Sequence, residues 1–143
     1  MERALLDTDI LSEVLKARDA NVVNSAARYK QQFGHLTISS ITVMEVVKGF
    51  HKAGQPASID RFLTALHSSE VLAFDTTAAE IAGKIFGDLE RSGQTIGRAD
   101  VMIAAIALTR KLTLVTGNLR HYERIRVAGY SELMLSNWRE GPN

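Results

Sequence analysis

Asp7, Glu45 and Asp100 lie far apart in the sequence, yet each stands where one regular element gives way to the next. Asp7 directly follows the apolar run Ala4-Leu5-Leu6, with Asp9 two residues later. Glu45 falls in the first turn of a helical pattern that follows the strand candidate Leu36-Thr37-Ile38. Asp100 opens a helical pattern that is apolar almost all round. Thr116 ends the apolar run that starts at Leu112, and Asn118 lies just beyond it. Carboxylates gathered within a few Å repel one another and raise each other's pKa. A divalent cation removes that conflict and inverts the local electrostatics. Mg²⁺ prefers oxygen ligands, takes one or two carboxylates and keeps several waters. A bound water can then act as nucleophile at phosphorus while the metal stabilises the developing charge.

Each acid also has a structural use. Thr42-x-x-Glu45 has capping-box spacing. An acid near a helix start, as Asp100 is, is favoured by the macrodipole. Thr8 or Asp9 fits the N-cap of the helix that follows the first strand. Two acids at the exit of an apolar strand are nevertheless costly unless solvated or ligated.

The elements that must bring these residues together alternate between short β-like runs and amphipathic helices. Helical patterns carry Ile10, Leu11, Val14 and Leu15, then Asn21 to Gln32, then Val43, Val46, Val47 and Phe50. Gly54 and Pro56 break the chain before a stripe of Ile59, Phe62, Leu63 and Leu66. Val71 to Phe74 reads as a strand, and Thr77-x-x-Glu80 as a capping box opening a helix with Ile81, Ile85 and Leu89 inward. The apolar helix from Arg98 to Lys111 belongs at the centre. Leu112 to Thr116 reads as a buried strand, Arg120 to Ile125 as a short helix, and Leu133 to Leu135 as a last strand. Strands separated by helices imply crossovers and a parallel sheet covered by helices. The expected fold is α/β: one domain over residues 1–143, in three α/β/α layers around a short central parallel sheet. In such sheets the function gathers outside the carboxyl ends of the strands, where the acids lie.

The chain has 143 residues, 45% of them hydrophobic and 23% charged, and a net charge of +1. Those values suit one globular domain and supply no global field for nucleic acid or anionic lipid. The longest strictly apolar run, Val101 to Leu108, is too short to span a bilayer, and the first residues lack a signal-peptide pattern. No membrane association and a cytoplasmic location are expected. The absence of cysteine excludes disulfides, thiolate metal sites and a cysteine nucleophile.

Four ordered motifs, LLDTDILSE at 5–13, ISSITVMEVVKG at 38–49, IGRADVMIAAIAL at 96–108 and LTLVTGNLRHYERI at 112–125, together resemble the PIN-domain ribonucleases. The likeness is greatest to the VapC-type toxins of bacterial toxin–antitoxin pairs. It implies a PIN-like fold and a metal-dependent endoribonuclease that blocks translation by hydrolysing RNA, transfer RNA among its targets. By that likeness Asp7, Glu45 and Asp100 are the catalytic acids: Asp7 and Asp100 hold Mg²⁺ or Mn²⁺, and Glu45 completes the site or orients the attacking water. Thr116 matches a hydroxyl residue at the site edge. Asn118 stands where the family often has a fourth acid, which argues against a tightly held second metal. Asp9 stands where such toxins commonly carry Asn. The resemblance also implies a homodimer and a VapB-type antitoxin, with the Ile10, Val14 and Leu15 face or the Val46-Val47-Phe50 face as candidate contacts.

Between Arg110 and Arg126 there are five Lys or Arg and only Glu123 as an acid. Such residues meet phosphates or form a solvated face; Arg98 and Arg120 flank the motif residues most closely. The four histidines share no ligand spacing and read as surface or locally hydrogen-bonded residues. Trp138 reads as a packing anchor for the tail. Two alternatives remain open at this point. LLDTD also fits a haloacid-dehalogenase-type aspartyl-phosphate phosphatase, with Asp7 as nucleophile and Asp9 as general acid. A non-cleaving RNA- or protein-binding module on a nuclease-like fold is the other.

Overall fold

The computed structural model describes residues 1–141; the last two residues of the expected 1–143 domain lie outside the described range. Ala4–Leu6 forms strand β1, buried along its whole length. Helices α1 (Thr8–Lys16) and α2 (Ala20–Phe33) follow, the second closed by Gly34 at φ +86°, a left-handed conformation that glycine adopts freely. Strand β2 (Thr37–Ser39) leads into α3 (Ser40–Lys52) and α4 (Pro56–Ala65), with Pro56 at the first helical position. Strand β3 (Glu70–Leu72), α5 (Thr76–Arg91), α6 (Arg98–Arg110), β4 (Thr113–Val115), α7 (Leu119–Val127) and β5 (Leu135–Ser136) complete the order. No described helix is long and apolar enough to cross a membrane.

All strand pairs are parallel, as the crossovers require. Their hydrogen-bonded ladders fall into two groups, β1-β4-β5 and β2-β3. Between them Tyr29 replaces the missing ladder. Its hydroxyl, wholly buried, accepts from the Ala4 amide and lies equally close, 3.1 Å, to the Ala4 carbonyl and to Thr37 Oγ1. The strand edges at that seam are satisfied by a side chain, which a pattern of apolar residues cannot reveal.

Two apolar clusters cover the strands. One joins α5, α6 and α7 through Ile85, Leu89, Ile103, Ile106 and Ile125; the other joins α1, α2 and α3 through Ile10, Val22, Tyr29 and Val46. Helix α6 lies at the centre as expected, with Val101 and the unbroken run Ile103–Ala107 buried. The α4 stripe is shallower than its periodicity suggests: Phe62 is buried, while Leu63 is exposed.

Three helix caps differ from expectation. Asp7, not Thr8 or Asp9, is the N-cap of α1 and accepts from the Thr8 amide. Ser39 caps α3 by accepting from the Thr42 amide, so the Thr42-x-x-Glu45 spacing is not a capping box. Asp75 caps α5 in place of Thr77. In each case the helix starts one or more residues earlier than the spacing implied, and the preceding side chain takes the free amide.

Candidate active site

The carboxyl ends of β1, β2 and β4 open on one edge, and the N-terminus of α6 meets them there. Asp7 continues the β1–β4 ladder through its amide, which donates to the Val115 carbonyl at 2.8 Å, and so its position is fixed by the sheet itself. Only 4% of Asp7 is exposed. Its Oδ2 accepts from Thr116 Oγ1 at 2.8 Å and its Oδ1 from the Thr8 amide at 2.9 Å. Thr116, also buried, in turn accepts from the Asn118 amide, so the hydroxyl is locked toward Asp7. These bonds favour the ionised carboxylate, yet burial outweighs them. Desolvation, followed by the negative charge of Asp9, pushes the Asp7 pKa up from 3.8 to about 7, and Asp100 adds to the rise.

Asp100 faces Asp7 across Tyr122. The Tyr122 hydroxyl donates to Asp100 Oδ1 at 3.3 Å and also faces Asp7. Burial and then these two negative charges hold the phenol far above its ordinary pKa, so it stays a donor. Asp100 caps nothing: Gly97 precedes α6 and the helix start has no side-chain cap. Its other oxygen lies 3.2 Å from His121 Nδ1, which is itself 2.7 Å from Asn118 Nδ2. A ring nitrogen accepting from Asn118 has no proton left for Asp100, so only one of these contacts is a hydrogen bond at a time.

Glu45 joins the edge through threonines. Its Oε1 accepts from Thr8 Oγ1 at 2.6 Å, and Thr8 Oγ1 is 2.9 Å from Thr42 Oγ1. Asp9 points toward the β4 exit, where its Oδ2 accepts from the Gly117 amide at 2.9 Å while Oδ1 is buried without a partner. Burial raises the Asp9 pKa as well, against the pull of Gly117 and Arg139.

The donor set is therefore hard oxygen, and Asp7 carries no cationic partner among the described ion pairs. No three described carboxylate, imidazole or thiol groups converge tightly enough to enclose an ion by themselves. The arrangement suits an ion that takes two carboxylates and completes its shell with water, which is the habit of Mg²⁺.

Known proteins resemble this chain over most of its length. The PIN domain model matches residues 4–127. The tRNA(fMet)-specific endonuclease VapC of Shigella flexneri is 36% identical over 129 residues, spanning 87% of this chain and 93% of its own. Ribonuclease VapC2 of Haemophilus influenzae (strain KW20 / Rd) is similar to the same degree and extent. The crystal structure of DNA-bound VapBC from Salmonella typhimurium has a chain that aligns with a TM-score of 0.80 and 32% identity, covering 96% of this chain and 99% of that one. The chain belongs to the PIN-domain family of VapC ribonuclease toxins. It is an endoribonuclease of that toxin–antitoxin family, and the phosphatase and non-cleaving alternatives fall away.

For a ribonuclease, the basic residues matter next. The five between Arg110 and Arg126 do not act together. Arg110 and Lys111 end α6, ten residues or roughly 15 Å along the helix from Asp100. Arg124 donates to the Thr95 carbonyl at 3.2 Å and Arg126 pairs with Glu123. Arg98 and Arg120 are exposed and enter none of the described ion pairs, at the start of α6 and of α7 beside the acidic edge. Tyr122, His121 and Arg139 were not singled out as site residues from the sequence. Tyr122 looks like a core residue of an amphipathic helix, and it is one, save for its hydroxyl. The expected contact face on α1 is also reduced, because Ile10 is wholly buried while Leu15 is 51% exposed.

Proposed function

We propose that Asp7 and Asp100 hold one Mg²⁺ or Mn²⁺ ion, and that Glu45 orients the water that attacks an RNA phosphodiester. Asp7, buried opposite Asp100 and paired with no cationic side chain among the described ion pairs, carries this reading. The ion, when bound, lowers the pKa of its water and neutralises charge on the phosphate. Thr116 orients Asp7, and the Tyr122 hydroxyl, which donates to Asp100 Oδ1, lies between the two aspartates. Thr8 and Thr42 fix the Glu45 carboxylate, which is half-buried and open to a water's proton. Arg98 and Arg120 meet the phosphates on either side of the cut, where exposed guanidinium groups contribute without regard to base. Asn118 supplies an amide where a further carboxylate would favour a second ion.

Transfer RNA is the proposed substrate, since relatives in Shigella and Salmonella are tRNA(fMet)-specific endonucleases, and its cleavage would stop translation. A VapB-type antitoxin is the proposed partner, as in the VapBC complexes of Salmonella and Rickettsia, with the toxin itself a homodimer. A groove of about 290 Å³ lined by Leu11, Val14, Leu15, Leu36 and Phe62 is the apolar surface offered to such a partner. Incubation of purified tRNA with the protein, with Mg²⁺ and with EDTA, tests the enzyme reading. Discrete fragments that disappear in EDTA are expected; fragments that persist in EDTA, or none with Mg²⁺, would refute it.

A further inference from the structure

The C-terminal turn brings a cation to the acidic edge that the roles above leave unused. Residues Trp138–Glu140 form a 3-10 turn anchored by Trp138, which is buried with its ring 5.9 Å from that of Tyr29. Asn21 Nδ2 donates to the Arg139 carbonyl at 2.9 Å and ties the turn to α2. From this base Arg139 reaches across the exit of β4. Its Nη1 lies 3.4 Å from Asp9 Oδ2 and its Nη2 3.5 Å from Glu13 Oε1. Gly117 completes the seat. Its amide donates to the same Asp9 oxygen, and a Cβ there would fall 1.7 Å from Arg139 Nη1 and 2.7 Å from Asp9 Oδ2. The close approach of backbone, guanidinium and carboxylate is possible only because residue 117 has no side chain.

We propose that Arg139 is a positioning residue of the metal site. It holds Asp9 toward Gly117, keeps that carboxylate out of the Asp7–Asp100 pair, and sets how tightly the site takes a divalent cation. This rests on the reading of Asp7 and Asp100 as metal ligands. Of the charges that bear on Asp7, that of Asp9 is the strongest. Arg139 offsets part of it at the rim, beside the Gly117 amide, so an ion senses the carboxylates that face it more than Asp9. Without the guanidinium, Asp9 adds a full negative charge beside the site and its unpartnered Oδ1 is free to turn inward.

Titration of the metal-free full-length protein with Mn²⁺ alone, read calorimetrically or by electron paramagnetic resonance, tests this. Arg139→Gln should bind Mn²⁺ about three- to tenfold more tightly than wild type, the range for one partly screened charge acting on a divalent ion. Asp9→Asn should bind it more weakly by a similar factor. The double variant should return to within about twofold of wild type, and Arg139→Lys should match wild type, by the same charge count. An Arg139 that merely staples the C-terminal turn predicts a lower melting temperature for Arg139→Gln with an unchanged Mn²⁺ affinity; that result overturns the proposal. Should Arg139→Gln fail to fold, Asp9→Asn decides: weaker binding supports the proposal and unchanged binding overturns it. If Mn²⁺ binds wild type and is lost in Asp7→Asn while the Arg139 variants are unaltered, the metal site stands and the role of Arg139 falls. Should wild type take up no Mn²⁺, both fall together.

Discussion

Replacing Asp7 by Asn should make the metal-free protein more stable while it removes activity. In the folded chain the Asp7 pKa stands at about 7 against 3.8 for the ordinary carboxyl, because the ionised group is buried beside Asp9 and Asp100. A raised pKa means that the protonated form favours folding: its contribution is complete below 3.8 and is lost as pH rises through about 7. At 1.36 kcal/mol per pKa unit, the penalty tied to Asp7 in the metal-free fold is about 4 kcal/mol at pH 8, where the buried group is ionised, and less than half of that at pH 5, where it takes up a proton on folding. Asn is uncharged at both. Its amide oxygen can still accept from the Thr8 amide, and its nitrogen can donate to Thr116 Oγ1, which today donates to Asp7. Allowing about 1 kcal/mol for that rearranged bond, Asp7→Asn should gain about 3 kcal/mol at pH 8, roughly 5–12 °C in melting temperature. At pH 5 the gain should nearly vanish. Thermal and denaturant melts of both proteins in EDTA across this pH range read the difference. An Asp7→Asn variant less stable than wild type at pH 8, or a difference that does not change with pH, would refute the argument.

Asp7→Asn, Glu45→Gln and Asp100→Asn should each abolish RNA cleavage, and the triple variant should be no worse than the singles, because residues that act as a unit are not additive; a single variant with near-wild-type turnover would remove that residue from the site. Tyr122→Phe deletes the donor to Asp100 Oδ1, leaving that carboxylate less satisfied, and should lower stability in EDTA by about 1–3 kcal/mol; addition of Mn²⁺ should recover most of the loss in a melting assay. Gly117→Ala should displace Arg139 from Asp9, cost about 1–2 kcal/mol as an overpacked contact does, and reproduce the Mn²⁺ affinity of Arg139→Gln in the same titration.

How much of this was legible in the sequence differs from residue to residue. Asp7 and Asp100 stand out in the sequence because each is an acid at an element boundary, and a parallel sheet collects such boundaries on one edge; Glu45, expected in the first turn of its helix, lies one turn deeper because α3 already starts at Ser40. The central place of α6 followed from its apolar circumference. What failed were statements about partners of single atoms. Spacing suggested that Glu45 closes a capping box on Thr42, but Ser39 had already taken that amide, which freed Glu45 to bind Thr8. Tyr122 has the signature of a core residue, and nothing in its neighbours indicates that its hydroxyl ends between two aspartates. Tyr29 likewise hides a polar seam between β1 and β2. Arg139 lies 130 positions from Asp9, and only the C-terminal turn brings them together. The basic residues show the reverse error: they are close in sequence, yet α6 carries Arg110 and Lys111 to the opposite end of that helix from Asp100.

The claim that Asp7 and Asp100 share one metal ion is tested most directly by crystals of wild type soaked in Mn²⁺, with anomalous difference density recorded near the manganese edge. The expected map has one strong peak, in contact with an oxygen of Asp7 and an oxygen of Asp100, beside the Tyr122 hydroxyl, and lost in Asp7→Asn crystals treated alike. A map with no peak at that edge, or with a peak that persists in Asp7→Asn, would contradict the account.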